Sequence, residues 1–304
     1  MRVLTITGDR TFRAGHPRFD LQAGAVERLE ALYWGPGALW PHTMLDVRHQ
    51  AYEVVSAQDP FWRGLLGLIF ARRFKARFNV QVHADLKAQG FLKQLLARFV
   101  LLRADSIRVV SEKINSQVLE FGARAPVIVL PIFVDVERFK TIDRKPDTQP
   151  TILWVGRLEN EKDPLHALEV FREVLEKVSE AKMIMLGSGS LLEKVKREAE
   201  DKKLPVEFPG WQDTTPYLAR AHVVLSTSKA ESWGASIVEA LAVGVPVVAP
   251  DVGIAREAGA IIVPREGLAD TVARVLRAPG RAALNLPLLT RSEWVVAWKS
   301  SLDY

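Results

Sequence analysis

The stretch TSKAESWGASIVEALAVGVPVVAPDVG, residues 227–253, carries two glutamates, Glu231 and Glu239, that lie eight positions apart. Apolar runs at 223–226 and 245–249 have the length and composition of buried strands. Apolar residues between these runs predict a helix that begins near Ser236, with Glu231 in the preceding loop and Glu239 in the first turn. Both carboxylates are therefore expected where a strand is followed by a helix.

This position has a chemical meaning for both carboxylates. The free N–H groups at a helix start bind phosphate, and carboxylates accept hydrogen bonds from sugar hydroxyls. A site with both features suits a ligand that is part phosphate and part sugar. The alternative is two solvated glutamates, one of which favours a helix N-terminus through the macrodipole.

A second strand, loop and helix follow from TILWVGRLENEKDPLHALEVF, residues 151–171. An apolar strand ends at Gly156, a polar loop follows, and a helix is predicted from Pro164 with Asp163 as its N-cap. Arg157 and Lys162 lie in that loop. They are either cations for an anionic ligand or ordinary surface residues.

Two further segments continue the pattern. MIMLGSGSLLEKVKREAE, residues 183–200, predicts a strand, a turn with Gly187 and Gly189, and a charged amphipathic helix. VEFPGWQDTTPYLARAHVVLSTS, residues 206–228, predicts a strand followed by a loop with Trp211. An indole in such a loop either borders a ligand or packs against the protein.

Strands and helices also alternate in the amino-terminal half. MRVLTIT, YEVVSAQDP and FNVQVHADL each predict a strand, the last with His83 and Asp85 at its end. Alternating strands and helices predict an α/β fold with parallel sheets. A chain of 304 residues has room for two such domains. Ligands of these sheets bind beyond the carboxyl ends of the strands.

Taken together, these motifs resemble retaining glycosyltransferase family 4, the glycosyl transferases group 1, which have the GT-B fold. The resemblance covers nearly the whole chain and is strongest from Pro150 to Val263. It implies two Rossmann-like, doubly wound parallel-sheet domains that face a cleft. We expect an acceptor-side domain at 1–140, a linker at 141–150, a donor-binding domain at 151–287, and a helix at 288–304 that packs back toward the first domain.

The resemblance also implies roles for individual residues. Glu239 would hold the ribose of a nucleotide diphosphate-sugar, and Glu231 would contact the transferred sugar. The other donor-side residues would be Gly156, Arg157, Lys162, Gly187, Gly189, Trp211, Gly234, Ala235, Ser236 and Ile237, with the two cations and the amides of 234–237 at the diphosphate. His83, Arg157, Lys162 and Glu231 would surround the reaction centre, with His83 as a polar contact rather than a base. Gly8, Asp9 and Asp85 would face the acceptor.

Three departures from the family pattern leave the acceptor open. The loop TGDRTFRAGHPRFD, residues 7–20, has only scattered glycines in place of a glycine-rich loop. Between Thr7 and Tyr52 the chain leaves little room for the usual strands and helices. Ile132 and Phe133 stand where the family usually has Asn-Gly.

Composition excludes several other classes. Without cysteine there is no disulfide or thiolate metal site, and the six histidines have no metal-binding spacing. We therefore expect neither a metal nor a cofactor besides the donor substrate. The start of the chain does not resemble a signal peptide, and the most apolar run, 64–71, is too short to span a bilayer. We expect a cytoplasmic enzyme, or one peripheral on the inner face of the membrane.

Basic residues are concentrated between 61 and 108, where ten lysines and arginines face only Asp85 and Asp105. The segment is also rich in exposed or core-facing apolar residues, namely Phe61, Trp62, Phe70, Phe74, Phe91, Leu92, Leu95, Leu96, Phe99 and Leu101. A basic amphipathic helix of this kind can lie on an anionic membrane. A solvated basic face over a core is the alternative. No nucleic-acid-binding motif accompanies the charge.

The motifs and the resemblance predict a retaining, metal-independent hexosyltransferase that moves a sugar from a nucleotide diphosphate-sugar to a glycan or lipid-linked acceptor. Two alternatives stay open: a sugar-nucleotide epimerase on the same fold, and a non-catalytic binding module. A nicotinamide-dependent oxidoreductase would need a glycine-rich fingerprint after a first strand, which neither TGDRTFRAG nor VGRLENEKD supplies.

Overall fold

The computed structural model describes residues 1–35 and 51–303. The chain divides into two compact units. The first consists of Met1–Phe133 together with the segment from Leu289 onward, and the second is the continuous segment Val134–Leu288.

The first unit is built on a six-stranded sheet. Its strands are β1 (Arg2–Thr7), β2 (Arg28–Tyr33), β3 (Val54–Ala57), β4 (Arg77–Val82), β5 (Ser106–Val109) and β6 (Val127–Val129). They are all parallel and lie in the order β2-β1-β3-β4-β5-β6. The described helices are α1 (Pro17–Ala23), α2 (Trp62–Phe74), α3 (Phe91–Leu101), α4 (Glu112–Glu120) and, much later in the chain, α12 (Arg291–Ser300).

The second unit repeats this architecture. Its strands are β7 (Thr151–Val155), β8 (Lys182–Leu186), β9 (Val206–Gly210), β10 (Val223–Leu225), β11 (Val247–Ala249) and β12 (Ile261–Ile262). They are parallel and lie in the order β12-β11-β10-β7-β8-β9. Its helices are α5 (Val136–Lys140), α6 (Pro164–Leu175), α7 (Leu192–Asp201), α8 (Thr215–Arg220), α9 (Ala235–Val243), α10 (Ala255–Ala258) and α11 (Leu268–Arg277).

Hydrophobic patterning explains why these segments form parallel sheets. A strand covered by helices on both faces is apolar along its whole length, as β10 and β11 are. In the second unit, Trp154 from β7 and Phe171 from α6 lie in one core with side chains of β8 and α11. The α/β, doubly wound fold class expected from the sequence is confirmed.

The strand order locates a switch point in each sheet. In the second unit β7 and β10 are neighbours, while their following helices lead the chain to opposite sides of the sheet order. In the first unit β1 and β3 have this position. Loops that leave such a pair of strands in opposite directions open a crevice, where ligands of doubly wound sheets bind.

The domain boundaries can be compared with the two units. Helix α5, placed with the first domain in the sequence-based division, lies in the second unit, and residues 141–150 follow it there. That segment is hydrogen-bonded to the second unit, with Lys145 N–H donating to the Ala219 carbonyl (2.9 Å) and Asp147 N–H to that of Arg220 (3.0 Å). Between Thr7 and Tyr52 the described residues hold α1 and β2, and residues 36–50 lie outside the described part.

Helix α12 supplies part of the first unit's core. A capping box between Thr290 and Glu293 begins the helix. Trp294 and Trp298 are then buried beside Val3 of β1. The indole N–H of Trp294 donates to the Pro131 carbonyl at 2.8 Å.

Replacing Trp298 with alanine tests this packing. Trp298 is fully buried, so the loss of its ring is expected to lower the free energy of unfolding by about 3–5 kcal/mol. Urea unfolding followed by circular dichroism measures the change. Val296→Ala is the matched control, because Val296 lies on the same helix with 65% of its surface exposed and should change stability by less than about 0.5 kcal/mol. Equal effects of the two substitutions would contradict the packing.

Candidate functional site

The loops after β7 and β10 meet at the switch point of the second unit, and their charged residues form an ion pair. The Lys162 ammonium contacts the Glu231 carboxylate, with only 18% and 11% of the two side chains exposed. The Ser228 hydroxyl donates to the same carboxylate oxygen at 2.8 Å. Two residues selected from separate motifs therefore lie together, and the interpretation of Glu231 as a solvated glutamate is wrong.

Hydrogen bonds through Thr227 hold the backbones of the two loops together. The indole N–H of Trp154 donates to Thr227 Oγ1 at 3.1 Å. That hydroxyl lies 3.0 Å from the Lys162 carbonyl and 2.9 Å from the Asp163 carbonyl. The Lys229 N–H donates to the Glu161 carbonyl at 2.9 Å. Lys162 and Glu231 are thus held on a rigid base.

Asp163 has a different function from the predicted one. It occupies the N-cap position of α6, but its backbone is in the left-handed region (φ 51°) and its side chain makes no capping hydrogen bond. The carboxylate instead binds Arg265 (2.5 Å) and Lys229 (3.3 Å). Arg265 also donates to the Thr227 carbonyl at 2.7 Å. The sequence contained no spacing signal for Arg265, because it comes from a distant segment.

Glu239 lies one residue further into its helix than predicted. Helix α9 begins at Ala235, after Gly234 in the left-handed region (φ 116°), so Glu239 is the fifth helical residue and belongs to the second turn. The first-turn placement was wrong, because the helix starts before Ser236. The Thr214 hydroxyl donates to the Glu239 carboxylate at 3.0 Å.

The environment of Glu239 changes its acidity. Burial raises its pKa to about 7, the Thr214 hydrogen bond and Arg138 act to lower the pKa, and Asp213 acts to raise it. Glu239 is therefore partly protonated near neutral pH, when no ligand is bound.

The start of α9 leaves backbone donors free. The Ile237 N–H bonds back to the Gly234 carbonyl at 3.1 Å. Within the described part of the chain, the N–H groups of Ala235 and Ser236 have no protein acceptor. These two groups are available to an anion, as expected for the first turn of a helix.

Gly187 and Gly189 allow the loops after β7 and β8 to touch. A Cβ atom on Gly187 would lie 1.8 Å from the Gly156 carbonyl oxygen, and one on Gly189 would lie 2.4 Å from the Leu158 carbonyl oxygen. Gly187 also has φ 141°, which side chains rarely adopt. Close backbone packing therefore explains why glycine occupies both positions. Their contact with the donor stays a prediction.

Arg157 and Trp211 are more exposed than the ion pair. The Arg157 side chain is 73% exposed and pairs with Glu161 at 2.6 Å. Trp211, after β9, is 80% exposed, so the alternative of simple packing is wrong for this indole. Two residues further along, Asp213 begins the segment that reaches Glu239 through Thr214.

In the first unit, His83 follows β4 and is half-buried. Its Nε2 lies 3.3 Å from Gln81 Oε1, which also accepts from Arg108 at 3.0 Å. Burial lowers the pKa of His83 to about 3, with the charges of Arg108 and Arg18 acting in the same direction. The imidazole is therefore neutral at physiological pH, which agrees with a polar contact.

The predicted acceptor-side residues make contacts within the first unit. Asp9 pairs with Arg18 and binds Thr11. Asp85 accepts from Lys113 (3.0 Å) and Gln117 (2.9 Å), which attaches its loop to α4. A Cβ atom at Gly8 would lie 2.0 Å from the Arg63 guanidinium, so a larger residue here would displace the end of that side chain. Their roles toward an acceptor stay predictions.

A family model described as glycosyl transferases group 1 matches residues 135–283, nearly the whole second unit. Residues 135–283 belong to the glycosyl transferases group 1 family. The loops that hold Lys162, Glu231 and Glu239 lie inside this match.

Curated relatives cover larger parts of the chain. It is 25% identical over 226 residues to the alpha-monoglucosyldiacylglycerol synthase of Streptococcus pneumoniae, covering 65% of this chain and 51% of the relative. It is 28% identical over 277 residues to the 2-deoxystreptamine glucosyltransferase of Streptomyces kanamyceticus, covering 80% and 66%. The chain thus spans about half the length of the first of these relatives.

Solved structures extend the similarity to both units. Anabaena Alr3699/HepE, crystallised with UDP and glucose, superposes with a TM-score of 0.75 at 14% identity, covering 98% of this chain and 95% of HepE. At this identity the similarity shows the fold alone, and the GT-B fold expected for a group 1 glycosyl transferase is confirmed. In the described residues no group of three or more His, Asp or Glu side chains is arranged to hold a metal.

Replacing Lys162 with alanine tests the ion pair between Lys162 and Glu231. The substitution leaves the buried Glu231 carboxylate without its cation, and removal of one partner from such a pair lowers the free energy of unfolding by about 3–5 kcal/mol. Urea unfolding should also show that Lys162→Ala/Glu231→Gln is more stable than Lys162→Ala. Arg157→Ala, which breaks an exposed pair, should change stability by less than about 1 kcal/mol. A double variant no more stable than Lys162→Ala would contradict the pair.

Proposed function

We propose that this protein is a glycosyltransferase that transfers a sugar, with retention, from a nucleotide diphosphate-sugar to a glycan or lipid-linked acceptor. The observation that carries the proposal is the set of Lys162, Glu231, Glu239 and the free amides of α9 at one switch point. This set offers both acceptors for sugar hydroxyls and donors for phosphate.

Each part of the donor has a group suited to it. Glu239 accepts hydrogen bonds from the ribose, and Glu231, fixed by Lys162 and Ser228, accepts them from the transferred sugar. Lys162, Arg157 and the N–H groups of Ala235 and Ser236 face the diphosphate. The departing nucleoside diphosphate gains negative charge, which these fixed positive groups stabilise without a metal.

The named relatives support this donor class. The pneumococcal relative is named for glucosyl transfer to a diacylglycerol, and the Streptomyces relative for glucosyl transfer to 2-deoxystreptamine. HepE was crystallised with UDP and glucose. The names of these two relatives share a glucosyl group and differ in the acceptor, so they support sugar transfer and leave the acceptor open.

Glu239→Ala should abolish or weaken nucleotide binding. Calorimetry with UDP, GDP, ADP and their sugar conjugates is expected to find one nucleotide that binds wild type, and binding at least tenfold weaker in the variant, because the ribose loses its acceptor. The control is Glu169→Ala on α6, whose exposed carboxylate contacts His166.

The other outcomes separate the alternatives. Selective binding followed by sugar transfer to an added acceptor supports the proposal. Conversion of the nucleotide sugar to its epimer without any acceptor would indicate the epimerase. If no nucleotide binds, the non-catalytic binding module is correct and the proposal is wrong.

For the acceptor, we propose that the protein binds lipid-linked molecules at an anionic membrane surface. The structure divides the basic segment 61–108 into two groups of cations. Arg63, Arg77, Lys87 and Arg108 bind groups within the first unit. The remaining cations are exposed and form no ion pair within the described residues: Arg72, Arg73, Lys75, Lys93, Arg98 and Arg103.

Exposed apolar side chains lie on the same two helices. Of the apolar residues in this segment, Phe61, Phe70 and Leu101 are buried and belong to the core. The exposed apolar set is Trp62 and Ile69 on α2, with Phe91, Leu92, Leu95 and Phe99 on α3. Helices α2 and α3 pack against each other, so they present these residues from one part of the first unit. Exposed aromatic and leucine side chains among unpaired cations fit an anionic lipid surface. In the described residues no helix is long and apolar enough to cross a membrane.

Reversing charge on α2 tests the membrane proposal. Arg72→Glu/Arg73→Glu should lower binding to phosphatidylglycerol-containing vesicles by tenfold or more, because each cation near such a surface contributes about 1 kcal/mol. Lys194→Glu/Arg197→Glu on α7 makes the same change in net charge on the second unit and should change binding little. Vesicle sedimentation measures both variants. Equal losses would show attraction through net charge alone, and no binding by wild type would overturn the membrane proposal while leaving the donor proposal untouched.

A further inference from the structure

A chain of polar contacts reaches Glu239 from the short helix α5. The Arg138 guanidinium donates to the Asp213 carboxylate at 2.6 Å and to the Thr215 hydroxyl at 3.1 Å. The other oxygen of Asp213 accepts from the Thr215 N–H (3.1 Å) and hydroxyl (2.9 Å). Between Asp213 and Thr215 lies Thr214, whose hydroxyl binds Glu239. The residues on both sides of Thr214, Asp213 and Thr215, are thus hydrogen-bonded to Arg138.

The Thr214 hydroxyl binds the Glu239 carboxylate and does not cap its own helix. It is the N-cap residue of α8, where a threonine hydroxyl ordinarily accepts a hydrogen bond from a free helix N–H. Here the side chain makes no capping bond, and its hydroxyl donates to Glu239 instead. The N–H groups that an N-cap hydroxyl usually binds are not available here, because Pro216 has none and the Tyr217 N–H donates to the Thr214 carbonyl at 3.1 Å. The Asp213 carboxylate accepts from the Thr215 N–H, the first donor of α8.

We propose that Arg138 is a positioning residue of the donor site, which holds the 213–215 segment so that the Thr214 hydroxyl keeps the Glu239 carboxylate directed at the ribose. The proposal deepens the proposed function and depends on it for the identity of the ligand. Arg138 itself touches neither Glu239 nor the reacting atoms. Its place in the sequence, in VDVERF before the first strand of the second unit, suggested no function beyond chain exit.

Charged groups around α9 make the proposal measurable. Helix α9 packs against α5, α8, α10 and β11. The charged side chains of those elements and of the adjoining loop are Glu137, Arg138 and Lys140 of α5, Asp213 and Arg220 beside and on α8, and Arg256 and Glu257 of α10. Of these, Asp213 and Arg138 act on Glu239, in opposite directions. Glu137 and Lys140 pair with each other, and Arg256 pairs with Asp251.

The first experiment needs no nucleotide. Carbon-13 NMR of glutamate-labelled protein follows the titration of the Glu239 carboxyl, assigned as the signal missing from Glu239→Gln. Arg138 lowers the pKa of Glu239, so Arg138→Ala should raise the midpoint above about 7, and Asp213→Asn should lower it. A non-specific disturbance of the fold would move the two midpoints in the same direction.

Lys140→Ala is the matched control. Lys140 lies on the same helix, with 56% of its side chain exposed against 54% for Arg138, and pairs with Glu137. Its loss should leave the Glu239 midpoint unchanged. An unchanged or lowered midpoint in Arg138→Ala would overturn the proposal.

The second experiment measures nucleotide affinity by calorimetry, with whichever of UDP, GDP and ADP binds wild type. Arg138→Ala should weaken binding about tenfold at pH 6 and much less at pH 9, because the variant's Glu239 is still deprotonated at the higher pH. Arg138→Lys should restore part of the affinity. In a Glu239→Gln background, Arg138→Ala should have no further effect. Additive losses would mean that Arg138 acts on the nucleotide without Glu239 and would overturn the proposal.

Thr214→Val provides a test if Arg138→Ala does not fold. It keeps the shape of the side chain but removes the hydroxyl, so it should raise the Glu239 midpoint and weaken nucleotide binding. An unchanged midpoint in Thr214→Val would overturn the proposal. If wild type binds no nucleotide, the proposed function fails, and the NMR titrations still decide whether Arg138 positions Glu239.

Discussion

The ion pair between Lys162 and Glu231 joins the two loops that leave the switch point of the second unit in opposite directions. Burial of two charges is unfavourable unless their hydrogen-bonding groups are satisfied. Here Ser228 supplies a further donor to the carboxylate, and Thr227 ties the backbone of one loop to that of the other. Asp163 adds a second ionic link to Arg265, which comes from a third segment. The crevice therefore has walls that are held in place before any ligand arrives, which is the condition for electrostatic preorganisation.

Close backbone contacts at glycines join this rigid base to the neighbouring loops on each side of it. On one side, the glycines after β8 let the backbones of two loops touch at Gly156 and Leu158. On the other side, the start of α9 packs against the loop after β11, where a Cβ at Gly253 would overlap the Trp233 carbonyl. Glu239 differs from this frame, because the Thr214 hydroxyl that binds it lies in a segment held by the exposed Arg138–Asp213 ion pair. In the proposed function, the fixed loops bind the diphosphate and the sugar, and Glu239 binds the ribose.

Local patterns predicted much of this arrangement. Strand and helix alternation predicted both parallel sheets, and the motifs placed Lys162 and Glu231 at strand ends that prove to be neighbours. Helix α9 begins at Ala235, one residue before the predicted start, directly after Gly234 in the left-handed conformation. Apolar periodicity carries no information about that conformation. Asp163 was expected to cap its helix, but its carboxylate binds the Arg265 guanidinium and not a backbone N–H of the helix. The same reason hid Arg138, since its partner lies 75 residues away. In the segment 61–108, composition could not tell which cations turn inward, because Arg63 and Arg108 find partners on other strands and loops.

The division of the first unit into two segments has a consequence for biosynthesis. The second unit is continuous in the chain, so its core can close once residue 288 has emerged from the ribosome. The first unit needs Trp294, Trp298 and Leu302 for its own core, and these are translated after the whole second unit. Domains usually fold in the order of synthesis, N-terminal first. In this chain the unit that is translated first completes its core last, because Trp294, Trp298 and Leu302 follow the whole second unit.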